Sequence, residues 1–396
     1  MLPFGNIPIS NIPLGNIKWI AMQGNNTPFV FGKTVSMFSF TNREEEFAKL
    51  KSNLLGRINT MLVSPRRWGK SSLVEKVAHD IDSETTRVVI IDLFTIGSEE
   101  EFLEVFAREV LKKSSSRWED WVGHAKNYFK QLMPKVSVGV DPTTDFSIGF
   151  DWKELKKYSD EVLNLPEVIA KEKGIQFVIC IDEFQNLSNY NTFESFEKKM
   201  RAVWQRQKQV TYCLYGSNRH MMEEIFNHSS KPFYRFGDFM YLPKIKREKW
   251  ILFILESFKN TEKQITEEQA AFITDNMNCH SWYVQQFSHY VWVKTSDEVT
   301  ETILQDAMRE LIDVNTPFFQ AQVESLSTTQ LNLLKAVASG EKQITSVRAM
   351  QDFKLGTSNN IIKNREILIK KDILQLSQAN FEWLDPVFLI WFLRLF

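Results

Sequence analysis

The chain has 396 residues, which at roughly 150 residues per domain allows two or three domains and a core that needs no disulfide or metal staples. Lys and Arg total 48 against 49 Asp and Glu, and the net charge of −1 excludes a wholly basic nucleic-acid coat or an acidic solvating tail. Hydrophobic residues at 43%, aromatics at 13% and only 15 Gly and 12 Pro exclude disordered, collagen-like and linker-dominated chains.

Residues 1–22 carry one charge, Lys18, and their apolar residues are broken by repeated Asn, Pro and Gly. They lack the basic head and unbroken apolar stretch of a signal peptide, so residues 1–26 read as a loose extension, with Met22 a candidate start. A short strand at 60–63 then runs into SPRRWGKSS, after which Leu73, Val74, Val77, Ala78 and Ile81 fall on one helical face. The segment RVVIIDL at 87–93 is nearly all apolar, as a parallel strand buried on both faces requires, and a helical pattern at 99–113 follows. Residues 134–152 alternate in polarity around Asp141-Pro142-Thr143-Thr144, which predicts a hairpin inserted on the edge or surface of the sheet, a candidate docking element.

Alternation resumes with a helix at 155–173, a strand at 177–181, a helix at 192–208, a strand at 210–215 and a fifth strand at 239–242. This order predicts an α/β fold with a doubly wound parallel sheet, whose ligand chemistry sits at the carboxyl ends of the strands. From residue 246 strand signals stop, and helical patterns at 247–258, 266–276, 282–295 and 300–316 predict a second, helical domain. Three more helices at 328–339, 346–353 and 357–371, followed by a two-strand signal at 374–376 and 381–384, predict a winged helix. The most apolar run, 386–396, is about half the length a membrane helix needs, so no membrane span is expected. Cys180, Cys213 and Cys279 are odd in number and dispersed, which argues for a reduced, cytoplasmic setting without a disulfide framework or zinc spacing.

The chemistry concentrates in two stretches. Ser64-Pro65-Arg66-Arg67-Trp68-Gly69-Lys70-Ser71 matches G-x-x-x-x-G-K-[ST] at every fixed place but the first, where Ser64 stands for glycine. In such a turn successive backbone N–H groups and a helix N-terminus converge on phosphate, and Gly69 admits close approach. Lys70 is then expected at the β- and γ-phosphates of ATP, Ser71 at Mg²⁺ and Ser72 at an inner phosphate, while Arg66 and Arg67 either steady phosphate or are solvated. The apolar strand ending Ile181-Asp182-Glu183 supplies the complement: Asp182 holds Mg²⁺ through water, and Glu183 orients or deprotonates the attacking water. Cys180 and Cys213, each inside a strand, read as small core residues.

Several ordered segments together resemble the archaeal-type ATPases of the AAA+/STAND superfamily: PRRWGKSSL, IDEFQNL, YGSN before MMEEIF, and the terminal LDPVFLIWF, with PFVFGK at 28–33 and FTNRE at 40–44 upstream. The resemblance covers residues 27–396. It implies an ATPase domain at 27–245 carrying the insertion near 134–152, a helical lid at 246–324 and a winged helix at 325–396. It places Phe40, Asn42 and Arg43 near adenine and ribose, and Ser217 at a sensor position near the γ-phosphate. Arg235, in PFYRF, aligns with the family's Pro-Leu-Tyr-Gly-Arg without its glycine and takes the place of a phosphate-sensing arginine. The family's lid motif Gly-His-Pro-Tyr-Tyr stands here as Cys279-His280-Ser281-Trp282-Tyr283 without its proline, which leaves His280, Trp282 and Tyr283 either structural or in contact with nucleotide.

Residues 354–371 hold Lys354, Lys363, Arg365, Lys370 and Lys371 against the single acid Glu366, with Asn359, Asn360 and Asn364 beside them. Such a helix suits duplex DNA, or else is the solvated face of a winged helix that binds protein. Three functions stay open. The first is a slow Mg²⁺-dependent ATPase, hydrolysing ATP to ADP and phosphate, that acts as a switch through its lid and winged helix. The second is an ATP-dependent DNA-binding protein of the loader or transposition type. The third is a nucleotide-binding scaffold without turnover, against which Glu183 argues. A protein partner or self-association is compatible with each.

Overall fold

The computed structural model describes residues 27–32, 42–114, 158–377 and 380–396, with the backbone of 137–138 and 148–149. Residues 1–26, Phe40 and most of 134–152 therefore lie outside the described residues. The described chain forms two compact units, residues 43–243 and residues 244–396, the latter joined by 27–32 and Asn42.

The first unit runs α1 (Glu44–Leu55), β1 (Thr60–Val63), α2 (Lys70–Ile81), β2 (Thr86–Asp92), α3 (Glu99–Ser114), β3 (Ser137–Val138), β4 (Ile148–Gly149), α4 (Ser159–Lys173), β5 (Gln176–Asp182), α5 (Phe193–Trp204), β6 (Val210–Gly216), α6 (Arg219–Asn227) and β7 (Asp238–Tyr241). Five strands form one sheet in the order β2-β5-β6-β1-β7, and every pairing is parallel. The α/β class and the fifth strand follow the sequence pattern. Central β6 is buried throughout and β5 at all but its last residue, Asp182, as their unbroken apolar runs require, whereas edge strand β2 alternates.

Consecutive strands β1 and β2 are separated by β5 and β6, so the strand order reverses beside β1 and opens a crevice at the carboxyl edge. Register then sets the neighbours: Val63 lies beside Gly216, and Asp182 beside Asp92. One sheet face is filled by rings, with Trp204 stacked on Tyr212 at 4.0 Å and Phe106 on Trp204 at 6.3 Å. Helix α3 carries Glu99, Glu100 and Glu101 in its first turn and Lys112 and Lys113 in its last, the arrangement its dipole favours. Helix α5 stops at Trp204, short of the expected 208, because Gln207 turns inward: its amide donates to the Leu163 carbonyl at 3.0 Å and its carbonyl accepts from the Tyr212 hydroxyl at 2.7 Å. β3 and β4 pair antiparallel, Ser137 with Gly149 and Val138 with Ile148, within the stretch where alternation predicts a hairpin.

The second unit contains α7 (Arg247–Lys259), α8 (Glu267–Asn276), α9 (Ser281–Lys294), α10 (Glu301–Glu324), α11 (Thr328–Ala338), α12 (Val347–Asp352), α13 (Ser358–Lys370), the antiparallel ribbon β8 (Leu374–Ser377) and β9 (Asn380–Trp383), and α14 (Pro386–Leu395). Its helix starts are written in local chemistry. Thr266 with Gln269 and Ser327 with Gln330 form capping boxes, and Asp385 caps α14 with Pro386 in the first turn. Helix α10 passes through Pro317, where the sequence pattern ends at 316, and the added turns seat Phe319 against Phe388 at 5.1 Å and Trp391 at 5.7 Å. Phe388, Trp391 and Phe392 of α14 are buried, and Phe392 meets Trp383 of the ribbon at 5.3 Å. Residues 27–32, counted with the ATPase domain from sequence, join this unit instead: Phe29 is 2% exposed and packs edge-on against Phe253 at 5.9 Å. Among the described residues no helix is long and apolar enough to cross a membrane.

Candidate functional site

The loop between β1 and α2 is shaped by two residues at positive φ, Arg67 (65°) and Gly69 (94°). Ser64 needs no such conformation, which removes the conformational demand for a glycine there; it is 1% exposed, and its N–H donates to the Gly216 carbonyl at 3.4 Å. Pro65 is half-buried, Arg66 and Arg67 are exposed, and Trp68 is buried. Gly69 is the residue before α2, so no side chain caps that helix, and its first turn contains no acid. A Cβ placed on Gly69 would find no atom within 4 Å. An uncapped helix start presents its first-turn amides and the positive end of the helix dipole, which is the chemistry of an anion site.

Lys70 and Ser71 open α2 and meet the end of β5. The Lys70 ammonium hydrogen-bonds the Asp182 carboxylate, and its Nζ stands 3.6 Å from Glu183 Oε1 and 4.7 Å from the centre of the Tyr215 ring. Ser71 Oγ donates to Asp182 Oδ2 at 2.8 Å. Ser72 is buried one residue on. Glu183 sits at φ 50°, a backbone strain of about 1–2 kcal/mol for a residue with a Cβ, and this turn aims its side chain across to β6. There Ser217 donates to Glu183 Oε2 through its hydroxyl at 2.8 Å and its N–H at 3.4 Å, and the Gln185 amide donates to the same oxygen.

The two acids differ in charge behaviour. Burial pushes the Asp182 carboxyl up, against the pull of the Lys70 charge and of hydrogen bonds from Lys70 and Ser71. Burial also acts on Glu183, but Lys70, Gln185 and Ser217 together outweigh it and hold its carboxyl below the ordinary range. These partners favour the ionised form of Glu183, the state a base requires. The oxygen pair of Ser71 and Asp182 fits Mg²⁺, which takes one or two protein oxygens and completes its shell with water and phosphate. Among the described residues no three His, Cys, Asp or Glu side chains gather as a metal cage.

The structure thus brings Lys70, Ser71, Asp182, Glu183 and Ser217 together. Arg43 reaches the loop differently: it is 2% exposed, and its guanidinium donates to the Trp68 carbonyl at 2.9 Å and the Pro243 carbonyl at 2.6 Å, bracing the loop's backbone. Asn42 donates to the Lys249 carbonyl at 3.1 Å, within the other unit. Arg235 is exposed, its guanidinium 5.2 Å from the centre of the Tyr234 ring. His280 is buried against Tyr283 at 5.0 Å, and the Tyr283 hydroxyl donates to the Asp385 carboxylate, both within the helical unit. Sequence reasoning missed Tyr215 beneath Lys70 and Gln185 on Glu183; the latter's only signal was its place in IDEFQNL.

Residues 317–394 match a family model described as a probable winged helix domain. No curated protein matches the chain. The fold is similar to that of the Walker-type ATPase PABY2304 of Pyrococcus abyssi, with a TM-score of 0.67 at 17% identity over 92% of this chain and 99% of that one. It is also similar to the ORC2 protein of Aeropyrum pernix in ADPNP–ADP complexes, with a TM-score of 0.56 at 12% identity over 90% and 94% of the two chains. The fold is therefore that of a P-loop NTPase. Its helical C-terminal region ends in a winged helix.

Proposed function

We propose that the chain is a Mg²⁺-dependent ATPase of the AAA+/STAND type, a slow nucleotide-controlled switch that acts through its lid and winged helix. One observation carries the reading: Lys70, Ser71 and Asp182 meet beside an uncapped helix start at Gly69, with Glu183 held ionised across from Ser217. The nucleotide found in the Aeropyrum pernix protein of similar fold lends support. The loop 64–72 would cradle the phosphates, Lys70 would exchange its carboxylates for the terminal phosphates, and Ser71 and Asp182 would hold Mg²⁺. When bound, Mg²⁺ neutralises charge that develops on the phosphate oxygens. Glu183 accepts the proton of the attacking water, which couples water attack to departure of ADP. Phosphate release should fall by about 10²-fold or more in Glu183→Gln while ATP binding persists. Equal turnover in the two proteins overturns the reading.

A second reading has its own support in α13. Asn359, Asn360 and Lys363 are exposed on the first turns of that helix, where a winged helix of this kind would meet a major groove. DNA binding through these residues is expected to weaken steeply between about 50 and 200 mM salt. A mobility shift on duplex DNA checks this, and a complex insensitive to salt counts against it.

A further inference from the structure

Glu183 has two carboxylate oxygens with separate surroundings. Oε2 accepts from the Gln185 amide, from the Ser217 hydroxyl at 2.8 Å and from the Ser217 N–H at 3.4 Å. Oε1 has Lys70 Nζ at 3.6 Å. Gln185 is 4% exposed, and its own Oε1 has no hydrogen-bond partner. An unpaired buried carbonyl costs about 1–3 kcal/mol, so the amide keeps its orientation for what its nitrogen does. The reversed amide would set oxygen against carboxylate. Space for this arrangement comes from the neighbouring strand: a Cβ on Gly216 would stand 1.9 Å from Gln185 Oε1. Gly216 does not sit at positive φ, so room for Gln185 first, and for Met222 with its Sδ at 2.9 Å, is what its missing side chain provides.

We propose that Gln185 is a positioning residue for Glu183: seated in the space Gly216 leaves, its amide fixes Oε2 and so presents Oε1 to the attacking water. This rests on the reading of Glu183 as the base. Once Lys70 turns to phosphate, Oε1 is the carboxylate oxygen free to accept the proton. The two donors of Ser217 hold Oε2 from one residue only and leave the carboxylate free to pivot there. A third donor on the same oxygen, from a different element, limits that freedom.

The test compares steady-state phosphate release in wild type, Gln185→Leu, Glu183→Gln and the double variant. Gln185→Leu is expected to lower kcat by roughly ten-fold or more with KM within about two-fold, a loss confined to the transition state. In the Glu183→Gln background the same change is expected to have no further effect, because Gln185 acts through Glu183. If Glu183→Gln is inactive while Gln185→Leu keeps the wild-type kcat, the positioning role falls and the base stands. An equal loss on both backgrounds also overturns it. Wild-type turnover in Glu183→Gln overturns the base and the proposal together. Should Gln185→Leu fail to fold, Gly216→Ala crowds the amide from the other side. It is expected to lower kcat on its own and to cost clearly less on Gln185→Ala, where only the Met222 contact is left; an undiminished loss on Gln185→Ala refutes the proposal.

Discussion

Backbone at positive φ serves different ends in the helical unit and at the sheet edge. In the helical unit, Glu262, Asn278, Lys354 and Asp372 adopt it within three residues after α7, α8, α12 and α13 end, the left-handed turn that closes a helix. At the sheet edge, Glu183 adopts it directly after β5, with no helix to close. Polar side chains divide in the same way. Thr266, Ser327, Ser346 and Thr357 cap helix starts beside them, whereas Lys70, Asp182 and Glu183, between 6% and 20% exposed, are joined to one another across more than a hundred residues of chain. Local rules account for the helical unit one helix at a time; the sheet edge makes sense only as an assembled set. That contrast marks the edge as the place where stability gives way to chemistry.

The largest effect expected follows from breaking the set at its centre. Lys70→Ala removes the cation that pairs with both part-buried carboxylates. ATP affinity is expected to fall by about 10²-fold or more, read by calorimetry. The nucleotide-free protein should also lose on the order of 3 kcal/mol of stability, because Asp182 and Glu183 are left without a counter-charge. A variant that loses ATP but unfolds at the wild-type midpoint would show that Lys70 serves the ligand alone.

Much of this was open to sequence reasoning where the signal is contiguous. The run from β1 through Gly69 and Lys70 to α2, the DE pair at the end of β5 and the caps of the helical unit are each readable within a dozen residues. Pairings set by the sheet are not. That Gln185 meets Glu183 depends on a left-handed turn at Glu183 and on Gly216 of a different strand, and no local pattern encodes either. Phe29 and Phe319 show the same limit in packing. One leaves the ATPase half of the chain for the helical unit, and the other draws α10 past a proline, because buried rings outweigh local preference.

A smaller effect sharpens the contrast within the first unit. Glu197 on α5 is 2% exposed, and its Oε1 has no hydrogen-bond partner, unlike the clamped Glu183. Burial raises its carboxyl to about 7, with Lys231 and Lys198 opposing and Glu194 and Glu224 adding to the rise. The folded chain then holds a proton there that the unfolded chain has released, so this residue's contribution to stability falls as pH rises from about 4.5 to 7. Glu197→Gln is expected to raise unfolding stability by about 1–2 kcal/mol at pH 8 and to change little at pH 4, measured by urea titration. The same gain at both values would mean that packing, not ionisation, is responsible.

The smallest effect tests the claim that positive φ in the helical unit is only closure. Glu262 stands at φ 60° with an exposed side chain, just past α7. Glycine there relieves about 1–2 kcal/mol of left-handed strain and adds back about 0.4–1 kcal/mol of unfolded-chain entropy. Glu262→Gly should therefore stabilise by about 0.5 kcal/mol and leave ATP turnover unchanged. At Glu183 the same backbone relief cannot help, because the strained turn is what carries the carboxylate to Ser217 and Gln185. A rise in the unfolding midpoint of Glu262→Gly with unaltered kcat separates a turn that closes a helix from a turn that aims a side chain, while a fall in turnover would tie α7 to the chemistry.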